Sequence, residues 1–274
     1  MMQRIIKLEW TKVSSYNFFK AILILTGVLF LLVLFVMSRI DISVPGFSWR
    51  NVFRFPNIWQ TFTWVASWFN VLMAIMVIVI AGNEFSSRSF RQQVMTGLSR
   101  NEWLLGKLSL VVGLALFGLV LVIIAGGIFG LIFSNNFAFA DIFLKSGILF
   151  VYFLQAIGYM VLALLFITLL RSNALAIVMY MLYFVFIEPV LRLLCPVEVR
   201  PWFPVKIISR LTPMPEFLQL ASSGGQNIPN ESLSFENIGI MGKQLSDSTN
   251  LLMAFVYIII FGLVTWLLIN KRDL

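Results

Sequence analysis

The chain has no histidine and a single cysteine, Cys195, among its 274 residues. Without an imidazole there is no histidine base, no usual zinc ligand set and no Ser–His or Cys–His pair. One cysteine excludes an intrachain disulfide and a thiolate metal cluster. Intramembrane proteases of the Ser–His or zinc type are therefore excluded. Charge is scarce as well: 12% of residues are Asp, Glu, Lys or Arg, against roughly 25% in an ordinary soluble domain. With 60% hydrophobic residues, the chain has too little polar surface to cover itself in water.

What is present is a set of long apolar runs. A bilayer-spanning helix needs about 20 mostly apolar residues, because each rises about 1.5 Å across about 30 Å of hydrocarbon. Six stretches satisfy this: Ala21–Met37, Trp64–Gly82, Leu104–Phe133, Leu144–Leu170, Ala174–Leu194 and Leu251–Ile269. The expected fold is an all-α integral membrane protein, with residues 1–274 as one transmembrane domain. In the third run Gly126, Gly127 and Gly130 are spaced either for close approach of another helix or for a plain lipid-facing turn.

Residues 1–20 mix Ile5, Ile6, Leu8, Trp10 and Val13 with Arg4, Lys7, Lys12 and Lys20. That pattern fits an amphipathic helix in the headgroup plane, or a partly ordered basic tail. It does not fit a cleaved signal peptide, because no small-residue cleavage site follows the apolar run. The net charge of +8 reads as a topology signal rather than a nucleic-acid footprint. Placing residues 1–20, 83–103, 171–173 and 270–274 in the cytoplasm gathers the basic residues at the highest density, with Lys107 snorkelling to the same side. Both termini are then cytoplasmic. Trp49, Trp59, Trp64, Trp68 and Trp202 fall on the outer side as an interfacial belt, and residues 195–250 form the largest outer segment.

Polar residues inside the spans are few, and each is costly in hydrocarbon. Asn70 and Gln155 can join neighbouring helices or touch a substrate. Tyr180, Tyr183, Phe184, Ile187 and Glu188 share one helical face of the fifth span. Simple core packing accounts for that face; so does an inward hydrophobic gate on a translocation path. Glu188 lies four residues before Arg192, the order that favours an interfacial ion pair; a gating carboxylate is the alternative.

The most informative stretch is NEFSSRSFRQQVMTGLSRNEWLLGK, residues 83–107. Ser89 and Gln92 have the spacing of a capping box, as do Ser99 and Glu102. Gly97 supplies the left-handed residue that closes a helix. The chemistry predicts a short helix over Phe90–Thr96, hung by a tight turn between two spans. Phe90, Val94, Met95 and Leu98 alternate with Arg88, Arg91, Gln92 and Gln93, which suits docking into a groove on a partner or lying on the membrane surface.

These residues resemble the permease subunits of type-2 ABC exporters. Glu84 matches the glutamate that ends the family's second span. Ser89–Thr96 matches its coupling helix, Thr96-Gly97-Leu98-Ser99-Arg100 its turn, and Glu102-Trp103-Leu104-Leu105-Gly106-Lys107 its entry to the third span. Ser87-Arg88-Ser89 departs from the commoner "E-x-G-T" start. The resemblance implies ATPase-coupling residues at Glu84, Ser89, Phe90, Arg91, Val94, Met95 and Arg100. It implies a second cytoplasmic contact at Arg171, and a path or gate near Asn70, Tyr180, Tyr183, Phe184 and Glu188. It implies two separate ABC ATPase subunits that carry ATP and magnesium, and a second permease copy or paralogue. The implied location is a bacterial-type inner membrane. The chain lacks a GxxxxGK[ST] phosphate loop, and no constellation offers a nucleophile with its base, so it is expected neither to bind ATP nor to be an enzyme. A non-transporting scaffold driven by the same ATPase contact is the alternative. An ATP-independent channel or carrier would predict inverted repeats, which the sequence does not display.

Overall fold

In hydrocarbon every backbone N–H and C=O must be paired within its own segment, so each of the six apolar runs becomes a helix. The computed structural model describes residues 2–40, 43–44, 47–48, 52–87, 89–134, 139–213, 215 and 245–271. Helix α1 (Met2–Ser15) precedes α2 (Asn17–Arg39), the first long helix. A two-residue antiparallel pairing of β1 (Ser43–Val44) with β2 (Phe47–Ser48) follows. Next come α3 (Ile58–Ser86), the short α4 (Ser89–Met95) and α5 (Arg100–Phe133). A short α6 (Phe139–Phe143) leads into α7 (Gly147–Leu170). The fifth apolar run is continuous: α8 (Asn173–Leu182), a π turn (Tyr183–Ile187) and α9 (Glu188–Leu194). A 3₁₀ turn (Arg200–Trp202) and α10 (Pro204–Ser209) precede the last long helix, α11 (Asp247–Lys271).

Six of these helical runs are long and apolar enough to cross a membrane, the architecture of a multi-pass membrane protein. Burial sorts them into a centre and a rim. In α3 and α7, 61% and 67% of the most apolar window is inside the chain, against 17% in α2, the fifth run and α11. The centre is therefore the α3–α7 pair, where Val77, Ala81, Met160 and Leu164 are fully or nearly fully enclosed. The rim helices turn Leu32, Phe186, Leu193 and Leu263 outward, side chains suited to hydrocarbon.

The glycines of α5 receive rings rather than a helix backbone. A Cβ at Gly126 would lie 2.7 Å from the Trp59 ring, and one at Gly130 would lie 2.3 Å from the Phe55 ring, while Gly127 faces open space. Trp59 is accordingly interior: it is 5% exposed, and its indole N–H donates to the Ile142 carbonyl at 2.7 Å. It does not belong to an interfacial belt; Trp68, 65% exposed, does face outward. Trp49 lies outside the described residues.

The π turn has a local cause. Pro189 has no N–H to return to the carbonyl four residues back, and its ring crowds that turn. Widening the preceding turn accommodates both, and the Glu188 N–H then reaches back five residues to the Tyr183 carbonyl.

Candidate functional site

The site is built on the connection between α3 and α5. Helix α4 is closed by Gly97 at φ +103°, which allows the Leu98 N–H to donate to the Gln93 carbonyl at 3.0 Å. Two residues later α5 opens with a capping box. The Ser99 hydroxyl accepts from the Glu102 N–H at 3.2 Å, and the Glu102 carboxylate accepts from the Ser99 N–H at 2.7 Å. The expected first box is different: Ser89 is the first residue inside α4, and its hydroxyl donates to the Glu84 carbonyl at 3.4 Å. The short helix therefore starts and ends one residue earlier than the sequence predicts.

Beneath α4 lies a buried charge cluster. Glu84, 2% exposed, accepts from the Lys107 ammonium at 2.5 Å, from the Trp103 indole N–H at 2.5 Å, and from Lys12. Lys107 is completely buried and also donates to Glu9. Two carboxylates and two ammoniums thus alternate from α1 through α5 to α3 and cancel in formal charge. Pairing of this kind is what permits ionised groups in an apolar interior. Lys107 does not snorkel to a surface; its partners come to it. The Trp103 ring closes an aromatic triangle with Phe85 and Phe90, at centroid separations of 5.4, 5.1 and 5.3 Å.

This geometry sorts the expected coupling residues. Glu84 holds α1, α3 and α5 together. Phe90, 5% exposed, anchors α4 to the chain's own core and is not offered to a partner, because its ring fills the space between Phe85 and Trp103. Among the described side chains of α4, Met95, 76% exposed, is the apolar one left outside. Arg91 and Val94 lie on α4, but their side chains fall outside the described residues, as does Arg88. Arg100 turns toward α11, where it donates to the carbonyls of Ile269 at 3.1 Å and Asn270 at 2.8 Å. Arg171 ends α7 in the left-handed conformation, φ +52°. Two residues on, the Asn173 amide donates to Asn83 at 2.7 Å, so the α7–α8 turn sits against the end of α3. An open cleft of about 670 Å³, lined by Leu8, Glu9 and Lys12 of α1 and by Thr96 and Gly97, separates α1 from the α4 turn.

No family model matches the chain, and no curated protein matches it.

The second group of expected residues lies along the fifth run and α3. Tyr180 is fully buried, and the rings of Tyr180, Tyr183 and Phe184 pack with Phe166 and Tyr159 of α7. These rings pack the fifth run against α7, with Tyr183 and Phe184 half-buried and Ile187 exposed. Asn70 accepts from the Tyr152 hydroxyl at 3.3 Å, joining α3 to α7.

Glu188 does not form the expected ion pair with Arg192. Its carboxylate accepts from the backbone N–H groups of Val205 at 2.9 Å and Lys206 at 2.7 Å. Those two N–H groups are orphan donors in the first turn of α10, which opens with Pro204. A carboxylate seventeen residues earlier in sequence takes the place of a local cap. At the other end of α10 the Gln155 amide donates to the carbonyls of Ile208 and Ser209, and accepts from Thr212. Burial, then the charges of Arg192 and Arg210, holds the Lys206 ammonium below the usual lysine range. Glu188→Gln leaves one acceptor for two donors and turns an amide N–H₂ toward the other. We expect it to cost about 1.5–3 kcal/mol, the worth of a hydrogen bond to a charged group. Thermal unfolding in nanodiscs, with hydrogen exchange at Val205 and Lys206, checks this; unchanged exchange at both amides refutes the capping role.

Glu9, Lys12, Trp103 and Lys107 share no motif in the sequence that marks them as a set. The available signal was that Lys107 and Glu84 each sit at the edge of a long apolar run, where an ionisable group needs a named partner. Glu9 and Lys12, three apart on α1, lie on one helical face and supply both signs.

Proposed function

We propose that this chain is the membrane-embedded permease half of an ATP-driven exporter of the type-2 ABC kind. It works with two separate ATPase subunits and a second copy or paralogue of itself. ATP and magnesium sit on the ATPase subunits, and the cargo is amphipathic: a lipid-like molecule, a peptide or a drug. In this reading the α4 end of the bundle faces the cytoplasm, with both termini, in an inner membrane. The supporting observation is the construction of α4, a seven-residue helix held between two spans by its own Schellman turn and rooted through Phe90 above the Glu84 charge cluster. A loop that merely connected two spans would need neither the anchor nor the cluster. A force applied at Met95 passes through Phe90 to Trp103 and Glu84, and so reaches α1, α3 and α5 together.

The test is copurification. Met95→Asp places a charge on the outward face without touching the core. The expected result is loss of the associated ATPase subunit with an unchanged melting temperature of the permease. Retention of a stoichiometric ATPase by Met95→Asp, or no ATPase with the unmodified chain, would falsify the coupling assignment. ATP-dependent cargo movement in reconstituted vesicles then separates an exporter from a scaffold driven by the same contact.

A further inference from the structure

We propose that one internal water molecule is bound deep in the bundle, between Thr26 of α2, Asn70 of α3 and Tyr152 of α7. The inference stands on this chain's geometry alone and is independent of any ATPase. Thr26 and Asn70 are each 2% exposed and Tyr152 is 3% exposed. The Thr26 hydroxyl and the Asn70 amide nitrogen have no protein hydrogen-bond partner. In a helix a threonine hydroxyl usually turns back to the carbonyl of the preceding turn, as Thr63 and Thr265 do here. That of Thr26 does not.

Both residues, with Tyr152, line one small cavity of about 10 Å³. That is close to the least space that admits a water, which also needs two to four polar partners. Gly118, on α5, forms another part of the wall: a Cβ there would lie 2.8 Å from the Tyr152 hydroxyl. The remaining wall is apolar, including Phe30, Leu121 and Val122.

The chemistry of the lining selects the occupant. A metal cation prefers carboxylate or several carbonyl oxygens, and these three side chains are neutral. The free groups are a donor on Asn70 and a hydroxyl on Thr26 that can donate or accept. Turning the Asn70 amide over exchanges its free donor for a free acceptor. Water satisfies either arrangement, because it both donates and accepts. The position makes the satisfaction necessary: Asn70 is twelve residues into α3, about 18 Å along its axis, where no bulk water reaches it.

A double-mutant cycle tests the proposal, because Thr26 and Asn70 make no hydrogen bond to each other. Thr26→Val keeps the shape of the side chain, and Asn70→Leu removes the amide. In nanodiscs each single variant is expected to lower the melting temperature. The double variant should lower it by clearly less than the sum, since each change strips the other of the shared water. A density map fine enough to show ordered solvent should contain a peak within hydrogen-bonding distance of both side chains. Additive losses, or a map with sharp Thr26 and Asn70 side chains and no peak between them, overturn the assignment. If Asn70→Leu does not fold, Tyr152→Phe takes its place in the cycle, and the same two outcomes decide.

Discussion

Glu84→Gln lowers the stability of the folded chain by about 3 kcal/mol, the lower end of the range for breaking a buried ion pair. The lower end applies because Lys107 keeps Glu9 as a partner and because Lys12, 29% exposed, can withdraw toward solvent. Lys107 cannot withdraw, since none of its side chain is exposed, so its ammonium stays behind with one carboxylate where it had two. The substitution nearly preserves shape, and Trp103 can still donate to the new amide oxygen. The loss therefore reports charge rather than packing. Adding Lys107→Met to Glu84→Gln removes the stranded cation and should recover part of the lost stability, because apolar replacement of a buried pair is often neutral or better. Thermal unfolding of the single and double variants in one lipid gives the answer. A double variant that melts below Glu84→Gln alone would show that the cluster is not a self-contained set of charges.

Gly113→Ala is expected to unseat α1, at a cost of about 1–3 kcal/mol for overpacking. The added methyl would lie 2.1 Å from the Trp10 ring, far inside contact distance, and the bulky indole cannot yield by a simple rotation while Glu9 is held by Lys107. The control is Gly127→Ala on the same helix, whose methyl meets nothing within 4 Å. There the only change is intrinsic helix propensity, which favours alanine by about 1 kcal/mol. The two alanines should shift the melting temperature in opposite directions, and hydrogen exchange in α1 should rise for Gly113→Ala alone. Equal shifts would mean that α1 is not seated on α5 through Trp10.

The six long helices are legible in the sequence because hydrocarbon leaves the backbone one economical choice over 20 apolar residues. The α4 turn is legible for another reason: Gly97 and the Ser99–Glu102 pair are local chemistry, complete within a few residues. What the sequence conceals depends on partners far along the chain. Glu188 stands four residues from Arg192 and yet bonds to the N–H groups of Val205 and Lys206, because an uncapped buried helix start competes more strongly than an arginine with access to a surface. Phe90 has the spacing of a docking face, and only the positions of Phe85 and Trp103 reveal that it points inward. Gly126 and Gly130 have the spacing for a helix crossing, but which ring or backbone fills that space is decided by the fold of residues 52–59.

Helix α11 is fastened at both ends. Near its start the Asn250 amide donates to the Ile207 carbonyl of α10. Near its finish Arg100 binds its last carbonyls, while Trp266 and Asn270 donate to Asn101. Its 25 residues measure about 37 Å, and an α-helix resists compression along its axis far better than bending. It is in effect a connecting rod, running from the base of α5 beside the α4 turn to the short helix that Glu188 and Gln155 grip at the other end. An axial displacement of Arg100 must reappear at Ile207 unless one of those fastenings gives way.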